Sequence, residues 1–480
     1  MSTHTAAEGS GLTNDTVTSA VGGAVASRRG QISWAMFDWA NQPYFTLITT
    51  FIFAPYFAAT YVGDPTKGQA LWGETLGYAG LVIALVSPIL GSIADQTGRR
   101  KPWLLACSIA FCAAVSFLWF AMPGEGAINP VPIMVAVAAA AIAMEFAVVF
   151  NNAMLPSLVS SARMGTLSGL GWGIGYVGGL VALIIMLFFM AGDRETGLTM
   201  LGTPPLFGLD PVLSEADRFA GPMVAVWFAL FVIPLFLFTP DVPATGVRPR
   251  AAVRQGLVQL RTTLGHLRRY RNIALYLFSR MLYFDGLSAI FAFGGIYAAG
   301  IFGWQIMTLG LFGIILSVFA AAGAFIGGWL DDKIGSKRTI QISVFGLIVA
   351  TIGSASIGPD TIFFTVPVEP PQPGAAPFSS IGEQIYLVFG ILIGMSGGPA
   401  QAASRTLLAR MAPPSMMTEF FGLYALSGKA TAFLAPLAIA WATTAYDSQR
   451  AGLAVIVVFL VTGFMLLFGV AERREQDILS

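Results

Sequence analysis

A short run of glycine and charge occurs twice in this chain, each time between two long apolar stretches. The first copy reads Gly91-Ser-Ile-Ala-Asp95-Gln-Thr-Gly98-Arg99-Arg100-Lys101, and the second Gly328-Trp-Leu-Asp331-Asp332-Lys333-Ile334-Gly335-Ser-Lys337-Arg338. Gly91, Asp95 and Gly98 return 237 residues later as Gly328, Asp332 and Gly335. A repeat of this length requires two related halves, each with the same turn of an acid followed by bases. The flanking stretches set the fold class. Of 480 residues 56% are apolar and only 11% charged, against about a quarter charged in soluble domains. A helix needs ~20 residues to cross the ~30 Å hydrocarbon core. That ruler predicts an all-α membrane protein of twelve transmembrane helices in two pseudo-symmetric six-helix halves. The spans are expected near 33–61, 71–94, 103–122, 130–155, 165–191, 221–239, 273–299, 304–330, 339–357, 384–411, 417–445 and 450–471.

The bases orient these spans. With both ends inside, the inner segments hold 19 of the 26 Lys and Arg, and the outer loops hold Lys67, Arg194, Arg218 and Arg450. The excess predicts a multi-pass membrane protein with both termini cytoplasmic. The expected organisation is a disordered tail over 1–30, an N-terminal half over 31–240, a linker over 241–271, a C-terminal half over 272–471 and a tail over 472–480. In the linker, Val253, Leu257, Leu260, Leu264 and Leu267 recur at helical spacing with Arg254, Arg261 and Arg268 seven apart. That pattern predicts an amphipathic helix on the anionic inner leaflet, rather than a nucleic-acid patch. The outer loop 358–383 is rich in proline and is expected to be extended. Gly171, Gly175 and Gly179 rib one face of the fifth span, and Gly390, Gly394 and Gly398 one face of the tenth. Such ribs allow either sliding between helices or static close packing.

Charges inside spans cost roughly 2.5–3.5 kcal/mol each on insertion scales and need a reason. Asp38, Asn41 and Gln42 share a face of the first span; Glu145, Asn151 and Asn152 lie on the fourth. Arg280, Tyr283 and Asp285 lie on the seventh, Gln401 and Arg405 on the tenth, and Lys429 on the eleventh. Met36-Phe37-Asp38 answers Tyr283-Phe284-Asp285 across the repeat, and Lys429 takes the place of Trp172. These residues are candidates for a substrate and proton cavity, with structural ion pairs between helices as the alternative. Lys429 is expected to meet Asp38, Asp285 or a substrate carboxylate. The candidate conformational latches are Gly91, Asp95, Gly98, Arg99 and Arg100, and Gly328, Asp332, Lys333, Gly335 and Lys337. Asp95 is expected at the start of the eleventh span and Asp332 at the start of the fifth, because a carboxylate is stabilised at a helix N-terminus.

Five matches carry a resemblance: Trp34-Ala-Met-Phe37-Asp38-Trp39-Ala-Asn41, Phe150-Asn-Asn152-Ala-Met-Leu155-Pro156, Ser168-Gly-Leu-Gly-Trp172, Tyr283-Phe284-Asp285-Gly286 and Phe420-Phe421-Gly422-Leu-Tyr424. With the two turns, they make the chain resemble the major facilitator superfamily over all twelve spans, and within it the autophagy-related vacuole effluxers. The first turn departs at Gln96, where that superfamily usually has a base. The resemblance implies a central cavity lined by spans one, four, seven and ten, no cofactor, and export of amino acids as in fungal members.

Other classes fit poorly. Gly394-Met-Ser396-Gly-Gly398 matches a nucleophile-elbow pattern, but lies within a span with no histidine near. There is no phosphate-binding loop for ATP-driven transport. Cys107 and Cys112 are not on one helical face, and His4 and His266 cannot form a centre together, so no metal site is expected. The expectation is a secondary transporter, not an enzyme, whose partners are a small-molecule substrate, the bilayer and protons. It is expected to be monomeric and to bind no nucleic acid. A sugar or small-peptide permease, or a transporter-like sensor, remains the alternative.

Overall fold

The computed structural model describes residues 18–63, 65–124, 129–193, 196–265, 270–304, 306–371, 376–432 and 434–472. Among them ten helices are long and apolar enough to cross a membrane. Two further helical runs complete the twelve. The first is Arg28–Pro43, continued by widened π turns at Tyr44–Phe51 and Phe57–Tyr61 around Phe53–Tyr56. Pro55 cannot donate to the Phe51 carbonyl, and the winding breaks there. The eleventh is split into Met417–Lys429 and Leu434–Tyr446. Pro436 falls in the first turn of the second segment, where its missing N–H has no partner to lose.

The remaining spans are Pro65–Thr97, Lys101–Ser116, Pro130–Leu158, Met164–Ile185, Glu215–Phe238, Arg271–Phe302, Ile306–Ile334, Ser336–Ala355, Ile381–Met411 and Gln449–Phe468. Spans two and three, and eight and nine, are joined by the repeated turns, where Gly98 and Gly335 take φ of 81° and 91°. That left-handed backbone strains any residue with a Cβ.

The repeat is visible in the packing. In the N-terminal half span one packs on five and six, three on four and six, and two on four. In the C-terminal half seven packs on eleven and twelve, nine on ten and twelve, and eight on ten. The halves meet through spans two and eleven, five and eight, five and ten, and four and eleven. Both glycine ribs pack chiefly within a half, Gly171 alone also reaching Arg405 of the other. Gly171, Gly175 and Gly179 face Asp38, Gln42 and Thr46 of span one, while Gly390, Gly394 and Gly398 face Phe312, Leu316 and Ala320 of span eight. The close approach between halves uses another face, where a Cβ on Gly165 or Gly169 would strike Gly328.

Three expectations need correction. The tail expected to be disordered over 1–30 is ordered from Thr18. Ala20 and Ala26 donate backbone N–H groups to Val159 and Leu158, pinning this segment to the end of span four; residues 1–17 lie outside the described residues. Glu472, assigned to the C-terminal tail, is built into the fold by the hydrogen bonds given below. The linker helix, Pro249–Gly265, turns two different faces to its surroundings. Ala252, Gly256, Leu260 and Thr263 are buried against the bundle while Val253 and Leu257 are exposed. Gly256 has no side chain to hold it away from the Ile93 backbone. The side chains of Leu264 and Leu267 lie outside the described residues. Finally, the outer loop is not simply extended: Thr361–Ile362 pairs antiparallel with Val366–Pro367.

Candidate functional site: a two-layer closure between the halves

The repeated turns form the first layer. The Asp95 carboxylate accepts backbone N–H groups of Thr418 and Glu419 at 3.1 and 2.9 Å. Asp332 accepts those of Gly165 and Thr166, both at 2.7 Å. Each acid thus caps a helix N-terminus of the opposite half, where unpaired N–H groups and the helix dipole favour negative charge. Gly91 and Gly328 make this approach possible, since a Cβ at either would strike the opposite half's backbone. Both latches are engaged, so the face that carries them is closed.

The bases around the latches divide differently from the expected set. Arg100 is buried and reaches Thr418 Oγ1 at 3.0 Å and Asp95 at 3.5 Å. Arg99 is exposed, and Lys333 lies over the Trp329 ring at 4.4 Å. The base at the second latch is Arg410 of span ten, 2.7 Å from Asp331, 2.9 Å from Glu472 and 3.3 Å from Asp332. Two further acids, absent from the expected set, cap the helices that follow the turns. Asp241 accepts the backbone N–H groups of Arg100 and Lys101, and Glu472 those of Ser336 and Lys337. Lys101 and Lys337 then bond the Phe236 and Phe468 carbonyls. Asp241 and Glu472 each fall a few residues past the last helix of a half, and this repeated position is the signal that could have found them.

The linker adds an asymmetric clamp. Gln259 donates to Glu419 at 2.6 Å and hydrogen-bonds Gln96, while Ser92 donates to the Gly256 carbonyl at 2.7 Å. Gln96, the departure from the superfamily pattern, therefore serves the linker.

The second layer lies inside the membrane. Arg405 is six residues before the end of span ten, about 9 Å of helix. It pairs with Asp38 of span one at 3.0 Å and donates to Asn152 Oδ1 at 3.2 Å, Ser168 Oγ at 2.9 Å and the Ser168 carbonyl at 2.7 Å. Its guanidinium lies 4.9 Å from the Trp34 ring and 6.0 Å from that of Trp172. Gly171 leaves the room Asp38 needs, because a Cβ there would strike Oδ2. One residue of the C-terminal half is thus held by spans one, four and five of the other. Gln401, one turn outward, donates to Tyr176 of span five at 2.8 Å and adds a neutral bridge.

The other expected residues are dispersed. Asn41 is buried, and Gln42 packs beside Gly179. Glu145 is half-buried at mid-span. Asn151 is fully buried with both side-chain amide atoms unpartnered, and its carbonyl accepts from Trp34. Tyr283 shares a 2.6 Å hydrogen bond with Ser404 inside the C-terminal half. Arg280 and Asp285 are buried there, apart from the Asp38 cluster. The side chain of Lys429 lies outside the described residues.

Comparison with known proteins agrees with this architecture. The family described as Vacuole effluxer Atg22 like matches residues 75–477. The uncharacterized MFS-type transporter YxiO of Bacillus subtilis is 25% identical over 93% of this chain and 96% of its own length. Autophagy-related protein 22-1 of Neosartorya fischeri is 24% identical over 65% of this chain, which spans only 49% of that protein. Among solved structures, the Escherichia coli fucose:proton symporter superposes with a TM-score of 0.63 over 92% of this chain and 97% of its own, at 12% identity. The proton:xylose symporter XylE superposes at 0.66 over 94% and 98%, at 13% identity. Identities this low show a shared fold and leave the solute open. With its twelve spans in two repeated halves and a family match over most of its length, the chain is a multi-pass membrane transporter of the major facilitator type and belongs to the Vacuole effluxer Atg22 like family.

Proposed function

We propose that this protein is a secondary active transporter that moves a small polar solute, an amino acid first among candidates, by alternating access. The observation that carries this reading is the Arg405–Asp38 pair, 3.0 Å long, buried and made between halves. A charge pair inside the membrane that only holds helices together can sit within one half. This one crosses the plane on which a transporter must open, one layer inside two latches that cross it as well. In this reading the cytoplasmic side is closed, both termini are cytoplasmic, and the monomer works in a bacterial plasma membrane. Opening to the cytoplasm frees Asp38 and Arg405 for solute or proton. Protons are the coupling ion, with Asp38, Glu145 and Asp285 as carriers. Resemblance to vacuole effluxers supports an amino acid.

The test uses purified protein in proteoliposomes with a proton gradient imposed. A pool of isotopically labelled amino acids, sugars and dipeptides is supplied, and vesicle contents are read by mass spectrometry. Accumulation of an amino acid above the level in protein-free vesicles, lost when the gradient is collapsed, is expected. Accumulation of a sugar or dipeptide would correct the solute. Redistribution of nothing would remove the transport reading.

A further inference from the structure

Three buried polar atoms without hydrogen-bond partners lie together between spans seven and eleven: Arg280 Nε, Asp285 Oδ2 and Thr431 Oγ1. Arg280 is 4% exposed and Asp285 3%. Thr431 belongs to the interruption of span eleven between Lys429 and Leu434, and its hydroxyl lies beside the Asp285 carboxyl. Arg280 and Asp285 belong to the unbroken span seven, and Thr431 to the break in span eleven that faces it. A buried polar group left unmatched costs about 1–3 kcal/mol, and more when charged.

The guanidinium is held in a fixed orientation. Its carbon lies 3.3 Å from the centre of the Tyr424 ring and 4.6 Å from that of Phe284. Nη1 donates to the Tyr424 carbonyl at 3.0 Å and to Ser427 Oγ at 2.8 Å. Among the described residues, Nε donates to nothing, and the group makes no ion pair within 4.0 Å. The Nε–Nη2 edge is the fork that matches a carboxylate with two parallel hydrogen bonds.

The repeat shows what the other half does with the same place. Gly171 stands against Asp38 Oδ2 and Arg405 Nη2, a completed carboxylate–guanidinium pair. Its counterpart 257 residues on, Gly428, stands against Arg280, with a built Cβ 3.4 Å from Nη1 and 3.6 Å from Nη2. There the guanidinium makes no ion pair within 4.0 Å among the described residues, although the Asp285 carboxylate lies near enough to interact with it electrostatically. Beside it, a split helix presents the C-terminal end of one segment and the N-terminal end of the next, a pattern that serves solute and ion sites in other transporters.

We propose that the Nε–Nη2 edge of Arg280 binds the carboxylate of a small solute, while Asp285 and Thr431 receive a donor on the adjacent carbon. The ligand class is an α-amino or α-hydroxy acid. The proposal rests on the reading of the chain as a transporter of small polar solutes and names the chemistry its solute must have. Sugars, which have no carboxylate, are excluded from this site.

Binding rather than transport tests it. The detergent-purified full chain is equilibrated with an equimolar pool of L-alanine, L-leucine, L-lactate, L-alaninamide, D-glucose and D-xylose. Retained compounds are quantified by mass spectrometry after rapid gel filtration. Retention of an amino acid or lactate but not alaninamide or the sugars is expected, falling at least tenfold in Arg280→Gln. Arg280→Lys keeps the charge, lacks the fork, and should fall as well. Asp285→Asn should weaken amino-acid retention more than that of lactate. Equal retention of carboxylates by Arg280→Gln overturns the proposal. Retention of sugars overturns it while leaving transport intact, and retention of nothing overturns the site, with vesicle accumulation then deciding on transport. Should Arg280→Gln not yield folded protein, the wild type's discrimination between alanine and alaninamide decides.

Discussion

Replacing Asp38 by Asn keeps the shape of the inner closure and removes its only negative charge. The Asp38 and Arg405 side chains are 15% and 3% exposed, so solvent screens the pair weakly. Removing one partner of such a pair costs about 3–5 kcal/mol when nothing else holds the remaining charge. Here Ser168 and Asn152 still bind the guanidinium, so about 2–3 kcal/mol is the expected loss. The pair exists only while the halves meet on the latched face. The whole loss therefore falls on that state, and the equilibrium should shift away from it by roughly 30- to 150-fold. The shift can be read by pulsed electron–electron resonance between spin labels at Arg163 and Lys333, exposed residues of opposite halves near the latches. Cys107 and Cys112 are first replaced by alanine. In lipid nanodiscs the wild type should give mainly the short distance and Asp38→Asn mainly a longer one. Matching distributions at matched stability would show that Asp38–Arg405 does not hold the face closed.

Asp95→Asn and Asp332→Asn should each weaken closure by about 0.3–2 kcal/mol, the range for a carboxylate at a helix N-terminus. Hydrogen exchange at the Thr418–Glu419 and Gly165–Thr166 amides should rise, the double variant adding both losses; unchanged protection would refute the capping role. Gly169→Val should block the latched state outright, since its Cβ would lie 2.6 Å from the Gly328 Cα; a label distance equal to the wild type's would contradict this. Gln259→Ala leaves Glu419, which is fully buried, without its 2.6 Å donor. A loss of about 1–3 kcal/mol is expected, seen as faster proteolysis within the linker. A linker as resistant as the wild type's would show that the clamp adds nothing.

What the chain reveals before it is folded follows from which interactions are periodic or repeated. Spans are legible because a membrane crossing needs a long apolar run. Both latch contacts are legible because Asp95 and Asp332 repeat at one offset and an acid beside a turn seeks a helix N-terminus. The Asp38–Arg405 contact was less so: both residues are conspicuous as charges within spans, yet their pairing depends on how spans one and ten meet. Arg410 and Glu472 looked like ordinary bases and acids at the ends of spans, and only the folded turn brings three acids around one arginine. The linker's leucine stripe marks an amphipathic helix, but it does not show that the small residues Ala252 and Gly256 are the ones packed on the bundle. Glycine ribs carry the same ambiguity, since spacing four apart says that a helix approaches closely but not which one.

Alternating access itself is tested by locking the latched face. Cysteines at positions 163 and 333 are joined across the halves with a short bis-methanethiosulfonate, and solute movement is followed in proteoliposomes before linking, after linking and after reduction. If solute passes only when the halves part on this face, linking should abolish transport and reduction restore it, with the single-cysteine controls unaffected. Transport that continues at the same rate with the face locked would contradict the account.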